Sequence, residues 1–356
     1  MGIRTPKQRL RDVLGRDAVD RPPFICPGGM MNMAVTEVMS SVGDSWPAAH
    51  SDPESMARLV LGMVDLAGVE NLGAPFCMTI EAEGMGATVD LGSAETEPRV
   101  TEYAIAGLSA IDDLAAFDVR GDRAATAAEA TRLLVAERPD LPMIACVTGP
   151  ISLATSLVDP LIFYRAMRRD PSAAHALLEL SADAAIAFGD ALVGAGADTV
   201  CIADPSGTGE IIGAKAFREF ALPYINRIVD HFAARDVHSI VHICGDVKAL
   251  GGVLGEVSAP VISIDSNVSF RTLRALAPDH ASMGNVSTYL LEYGKAETLR
   301  RVAVNRVLEG VDIIAPACGI GPRTPLANIR AVADVVATAQ DWEGAERELR
   351  SVAVGR

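Results

Sequence analysis

The chain has 356 residues, of which 49% are hydrophobic, and a formal net charge of −15; with a mean hydropathy of +0.25 it can bury a large core. The acidic balance, with a pI near 4.8, excludes nucleic acid as a partner, because such a contact rests on lysines and arginines neutralising phosphates. No uninterrupted run of about 18 apolar residues occurs, so no membrane partner is expected, and the charged start MGIRTPKQRLRDVLG lacks the apolar segment of a secretory signal, which predicts a cytoplasmic protein.

In chain order, Thr5-Pro6 is an N-cap with proline at the first helical position, and the stretch PKQRLRDVLG carries Leu10, Val13 and Leu14 on one face before Gly15 stops it. Ser51 or Asp52 with Pro53 opens a second helix, PESMARLVLGMVDLAG. Between the two lies a Gly-, Pro- and Met-rich stretch, residues 21–50, that suits a loop and a short helix at a pocket mouth. From about residue 70, short β-type runs alternate with helical patterns: VENLGAPF, LPMIACV, ADTVCIAD, VHSIVHIC, PVISID, ASMGN and VDIIAPAC, with helices such as PSAAHALLELSADAAIAFGDALVGAG between them. Alternation of this kind predicts a parallel sheet with right-handed crossovers, and runs apolar on both faces predict a sheet covered on both sides. No Gly-rich phosphate fingerprint follows the first run. The expected fold class is therefore α/β, a (β/α)8 TIM barrel over residues 71–356 with a mostly helical N-terminal extension, residues 1–70, capping it.

In such barrels the reacting groups sit where strands end. Polar residues collect at these ends: Glu81 and Glu83, Thr148, Asp204, His242 with Cys244, Asp265, Asn285 and Cys318. Of Glu81 and Glu83, one is expected to alternate outward as a structural hydrogen bonder and the other to neighbour a metal or hold a ligating histidine in its tautomer. Asp204 and Asp265 read equally as substrate contacts or as caps on the barrel rim, and Asn285 as a substrate contact or the cap of the next helix. The six cysteines are scattered and read as reduced thiols; Cys26, Cys146 and Cys201 suit small buried apolar positions.

Within VHICGDV, His242 and Cys244 stand two apart on a strand, so they point the same way, about 7 Å apart along the chain. A lone pair of this kind on a buried strand is more often packing than ligation. Cys318, in APACGIGPRTP, ends a later strand, and a closed barrel brings such ends to one rim. A His/Cys/Cys set suits Zn(II), and three protein ligands leave one tetrahedral position open, as in a catalytic site. Two thiolates cancel the ion's charge, so a bound thiol is deprotonated and yet keeps its nucleophilicity.

The strings VTGPISLATSLV, ADPSGTGEIIGAKAFREFALPYINRI, VHICGDV, MGNVS and APACGIGPRTPLANIRAV together resemble the uroporphyrinogen decarboxylase superfamily over nearly the whole chain. APFCMTIEAEGMGATV and the His-x-Cys…Cys arrangement resemble its zinc-dependent corrinoid methyltransferase branch, which includes methylcobamide:coenzyme M methyltransferases. The decarboxylase branch places arginines just after an Arg-Pro-Pro stretch, whereas here Arg21-Pro22-Pro23 is followed by no Arg or Lys until Arg58. The aspartate of the decarboxylase Phe-Ser-Asp element falls near PFCM, where Met78 or a neighbour stands, and its His-Gly-Val/Leu-x-Pro-x-Thr-Pro histidine coincides with Cys318.

The resemblance implies that His242, Cys244 and Cys318 hold zinc and act catalytically, that a small thiol is methylated, and that methylcobalamin or a related corrinoid is co-substrate. The corrinoid is expected on a separate corrinoid protein, because no Asp-x-His-x-x-Gly stretch occurs here. Glu81, Glu83, Asp204, Asp265 and Asn285 are the expected substrate contacts. The alternatives are methyl transfer in the demethylation direction or to a folate, decarboxylation of the uroporphyrinogen type, and a non-enzymatic zinc- or corrinoid-binding module. Monomer and homodimer both remain open, since an apolar helix face that docks on a twin reads the same as one that docks on the sheet.

Overall fold

The computed structural model describes residues 4–27 and 33–339 of the chain. Its strands in chain order are β1 (Leu72–Ala74), β2 (Thr88–Asp90), β3 (Arg99–Glu102), β4 (Met143–Thr148), β5 (Thr199–Ala203), β6 (His238–Ile243), β7 (Val261–Ile264), β8 (Ala281–Val286) and β9 (Ile313–Pro316). Seven of them form one all-parallel sheet in the order β1-β4-β5-β6-β7-β8-β9, and β2 pairs with β3 in a separate antiparallel hairpin. Every one of the seven apolar runs read from the sequence has become a strand of that sheet.

The ring is completed by a stave absent from the expected set. Phe24 makes a parallel bridge to Ile314, the Ile25 N–H donates to the Ile314 carbonyl at 2.9 Å, and the Ile314 N–H donates to the Pro23 carbonyl at 3.0 Å. On its other side the Phe24 carbonyl accepts the Glu70 N–H, while the Asn71 amide accepts from the Cys26 N–H at 2.8 Å and donates to the Cys26 carbonyl at 2.9 Å. A buried asparagine side chain thus stands in for a strand ladder between this segment and β1. The result is a (β/α)8 barrel whose eighth stave lies on the N-terminal side of residue 70.

Side-chain alternation sends Ile144, Cys146, Cys201, Ala203, Ile240, Val261, Ala281, Met283, Ile313 and Ala315 into one inner cluster, joined by Leu10, Val13 and Leu14. The helix Pro6–Leu14, opened by a Thr5/Gln8 capping box, therefore packs its apolar face against the barrel interior at the end where the strands begin. A buried ion network ties it down: Arg9 reaches Asp20 at 2.8 Å and Glu70 at 2.9 Å, and Arg21 reaches Glu70 at 2.6 Å. Asp52, not Ser51, caps the helix Pro53–Gly62, accepting from the Glu54 and Ser55 amides. The stretch 21–50 carries the helix Thr36–Val42 as expected; its residues 28–32 lie outside the described residues. Among the described residues no helix is long and apolar enough to cross a membrane.

Candidate metal centre

A parallel ring sends all its strand C-termini to one face, and β6 and β9 deliver the three residues of interest there. His242 is the penultimate residue of β6 and shares the inward side with Ile240. Cys244 follows the strand end, and Gly245 turns the chain at φ +72, where a β-carbon would meet Thr208 Oγ1 at 2.9 Å and Glu210 Oε2 at 3.1 Å. Glycine is required at that turn both by its left-handed backbone and by the space. Asp265, just past β7, accepts the Gly245 N–H at 3.2 Å and so fixes the loop that carries Cys244.

The His242, Cys244 and Cys318 donor atoms lie within 4.8 Å of one another. His242 Nε2 is 3.1 Å from Cys244 Sγ, and Cys244 Sγ is 3.3 Å from Cys318 Sγ. On the far side of the ring, His242 Nδ1 is 2.9 Å from Ser263 Oγ, its register neighbour on β7. A proton on Nδ1 given to that hydroxyl leaves the Nε2 lone pair directed at the sulfurs. The hydrogen bond from the Cys244 thiol, with the Gly319 N–H, pulls Cys318 well below the usual thiol range. Cys244, as donor of that bond and buried, is pushed up in turn. A soft divalent cation would suit this close sulfur pair by taking both as thiolates. One imidazole nitrogen and two sulfurs at this mutual separation fit zinc, with His242 Nε2, Cys244 Sγ and Cys318 Sγ as its holders.

The remaining expected residues divide. Glu81 and Glu83 do not alternate on a strand: β1 ends at Ala74, and both glutamates lie on the short helix Ile80–Gly84. Glu81 is buried and accepts the Thr148 N–H at 2.7 Å and the Thr148 hydroxyl at 3.0 Å; burial pushes its carboxyl up. Glu83 points away to Arg123 at 2.8 Å, and Arg123 also reaches Cys77 Sγ at 2.7 Å and Thr79 Oγ1 at 3.1 Å. Holding the histidine ring falls to Ser263, not to either glutamate. Asp204 is buried at the rim, where it accepts from the Ile151 and Ser152 amides and the Ser152 hydroxyl, capping the helix Pro150–Leu157; burial pushes it up to about 6. Asn285 does not cap the next helix, which Ser287 does; its Nδ2 donates to the Asp265 and Val268 carbonyls at 2.9 and 2.7 Å.

Two neighbours of the triad are absent from the expected set. Ser263 had a legible signal, being a polar residue inside the apolar run PVISID that lies in register with His242. Glu97 had none: it sits, largely exposed, just past the turn of the β2–β3 hairpin, and the desolvation its carboxyl feels there, with the charge of Cys318, pushes it up to about 7. The same hairpin reaches the loop after Cys318 through Glu95, 4.0 Å from Arg323, which also pairs with Glu292 at 3.3 Å.

The family model described as uroporphyrinogen decarboxylase (URO-D) matches residues 5–339. Among curated proteins, the chain is 31% identical over 328 residues to the methylcobamide:CoM methyltransferase MtbA of Methanosarcina mazei, covering 92% of this chain and 96% of that one. It is 31% identical over 337 residues to the methylcobamide:CoM methyltransferase MtaA of Methanosarcina barkeri, with the same coverage of 92% and 96%. Among solved structures, a methyltransferase from Methanosarcina mazei superposes with a TM-score of 0.87 at 27% identity, over 94% of this chain and 99% of that one.

Proposed function

The chain belongs to the uroporphyrinogen decarboxylase (URO-D) family, and from that premise we propose that it is a corrinoid-dependent methyltransferase acting on a small thiol, with zinc held by His242, Cys244 and Cys318. The observation that carries the reading is the meeting of those three donor sets, 76 residues apart at the extremes, within 4.8 Å at the strand C-termini. Zinc at this site supplies a Lewis acid that lowers the pKa of an incoming thiol. The chain's own work is orientation: Ser263 fixes the imidazole, Asp265 and Gly245 fix Cys244, and the Gly319 amide steadies Cys318. In the reaction the sulfur pair of the substrate thiolate forms the S–C bond, the Co–C pair stays on cobalt as Co(I), and the thiol proton leaves to solvent. Alignment of sulfur, carbon and cobalt supplies most of the rest.

Two features support a corrinoid carried by a separate protein and a substrate other than a polycarboxylate. Seven large apolar side chains are exposed among the described residues, Tyr103, Leu161, Ile162, Ile211, Tyr289, Tyr293 and Leu308, and of these Ile211 and the paired Tyr289 and Tyr293 come soon after the ends of β5 and β8, toward the face of the metal site. Arg21, from the Arg-Pro-Pro stretch, is spent on Glu70, so it offers a polyanion nothing.

The test is metal analysis followed by turnover. Purified protein is expected to hold about one zinc per chain, lost in Cys318→Ala, and to consume methylcobalamin only when a suitable thiol is present. Metal-free protein with full activity, or uroporphyrinogen losing carbon dioxide while no thiol reacts, would overturn the reading.

A further inference from the structure

The helix Pro160–Arg169, PLIFYRAMRR, has two faces of opposite kind. Phe163 and Met167 are buried, while Leu161 and Ile162 are 63% and 37% exposed and Arg165, Arg168 and Arg169 stand in solvent. At 3.6 residues per turn these five exposed residues fall within one arc of about 120°. None of the three arginines has an ion-pair or hydrogen-bond partner among the described residues. The helix contains no acid, and the two acids that flank it are occupied: Asp159 accepts from the Leu161 and Ile162 amides, and Asp170 from the Ala173 amide. A chain of net charge −15 thus carries a stripe of unpaired cations around two exposed aliphatic side chains.

Both connections of this helix lie on the strand C-terminal side. It stands, with the helix Pro150–Leu157, between the end of β4 and the start of the helix Pro171–Gly194, which runs back to the beginning of β5. The hydroxyl of its half-buried Tyr164 donates to the Ser206 carbonyl at 3.1 Å, in the turn that follows β5. That is the side on which His242, Cys244 and Cys318 meet.

We propose that this stripe docks the protein that carries the corrinoid, with Arg165, Arg168 and Arg169 meeting acidic side chains of that partner and Leu161 and Ile162 packing between them. Arginine is enriched in protein contacts, and two aliphatic side chains are too few to hold a bilayer. An extended anionic surface, lipid or nucleic acid, would meet the −15 of the whole chain. A compact acidic protein is repelled elsewhere and attracted here, which orients it toward the barrel mouth. The inference rests on the methyl-transfer reading above.

The test compares two methyl donors: free methylcobalamin, and the methylated corrinoid protein isolated from the same cells by its cobalt content. Arg165→Glu/Arg168→Glu/Arg169→Glu is expected to raise the KM for the corrinoid protein roughly tenfold at low salt, to leave turnover of free methylcobalamin within about twofold, and to keep its zinc. Leu161→Ser/Ile162→Ser should raise the same KM by less, and added salt should bring the parent toward the triple variant. Arg300→Glu/Arg301→Glu, on the helix Ala296–Leu308, should change neither donor. The proposal falls and methyl transfer stands if the triple variant keeps the parent's KM, if it slows both donors alike, if the Arg300 and Arg301 variant matches its loss, or if free methylcobalamin is used and the corrinoid protein is not. Phosphatidylglycerol vesicles form a third arm: binding that the triple variant loses, with the corrinoid-protein KM intact, assigns the stripe to a lipid surface and overturns the proposal. If the parent moves a methyl group from neither donor to any of a panel of thiols, the methyl-transfer reading falls and takes the proposal with it.

Discussion

Replacing Ser263 with alanine isolates the part of the metal site that is neither ligand nor substrate contact. The hydroxyl lies 2.9 Å from His242 Nδ1, and both side chains are fully buried. Without it, a buried N–H loses its partner, at about 1–3 kcal/mol; otherwise the proton moves to Nε2 and removes the lone pair directed at the sulfurs. Either route weakens zinc binding, and partners of this kind are worth roughly 10–100-fold in metal affinity, or about 1.4–2.7 kcal/mol. The assay is competition for zinc with a chelator of known affinity at fixed pH, run beside thermal unfolding of the metal-free proteins. Ser263→Thr keeps the hydroxyl and is expected to recover most of the affinity. Metal-free stability should fall as well, by no more than that roughly 1–3 kcal/mol, so affinity is compared where every variant is fully folded. Affinity of Ser263→Ala within about twofold of the parent, or equal losses in the alanine and threonine variants, would refute this account of the imidazole's orientation.

His50 is fully buried, its ring 5.1 Å from Trp46 and 6.2 Å from Phe76, with neither nitrogen partnered, and burial with the nearby Arg123 charge depresses it to about 3. Its folded pKa lies below the unfolded value, so it favours folding above about pH 6.5 and withdraws up to about 5 kcal/mol as pH falls toward 3. His50→Phe is therefore expected to flatten that part of the stability-versus-pH curve, measured by denaturant midpoints from pH 7 to 4, and an unchanged slope would contradict it. Glu70→Ala leaves Arg9 and Arg21 buried without their shared carboxylate, and a loss of roughly 3–5 kcal/mol is expected from urea unfolding. Gly245→Ala forces a side chain into a left-handed turn already closed by Thr208 and Glu210. It should cost about 1–2 kcal/mol and loosen zinc binding through Cys244, readable by the same chelator competition.

What the sequence discloses and what it withholds follow from the range of the interactions. The seven strands are legible because burial on both faces forces unbroken apolar runs, and LPMIACV or VHSIVHIC can satisfy that demand in few other ways. The stave at Phe24–Cys26 is hidden because prolines flank it and because part of its ladder is a side chain, Asn71, which no pattern of hydrophobicity registers. The helix under Glu81 and Glu83 is hidden for a related reason: β1 is three residues long, so the period expected of a strand expires before the glutamates arrive. The His-x-Cys pair is local and therefore readable, and Cys318 becomes a partner only once a closed ring is assumed. Ser263 needs one step more, the register of β6 against β7. Glu97 needs the placement of the β2–β3 hairpin as well, whose Glu95 lies 4.0 Å from Arg323, and no feature of SAETEPRV distinguishes that carboxylate from the other acidic residues of the surface. The histidine and the first cysteine are thus a local feature of this chain, whereas the third sulfur and the hydroxyl behind the imidazole are set by contacts between strands far apart in sequence.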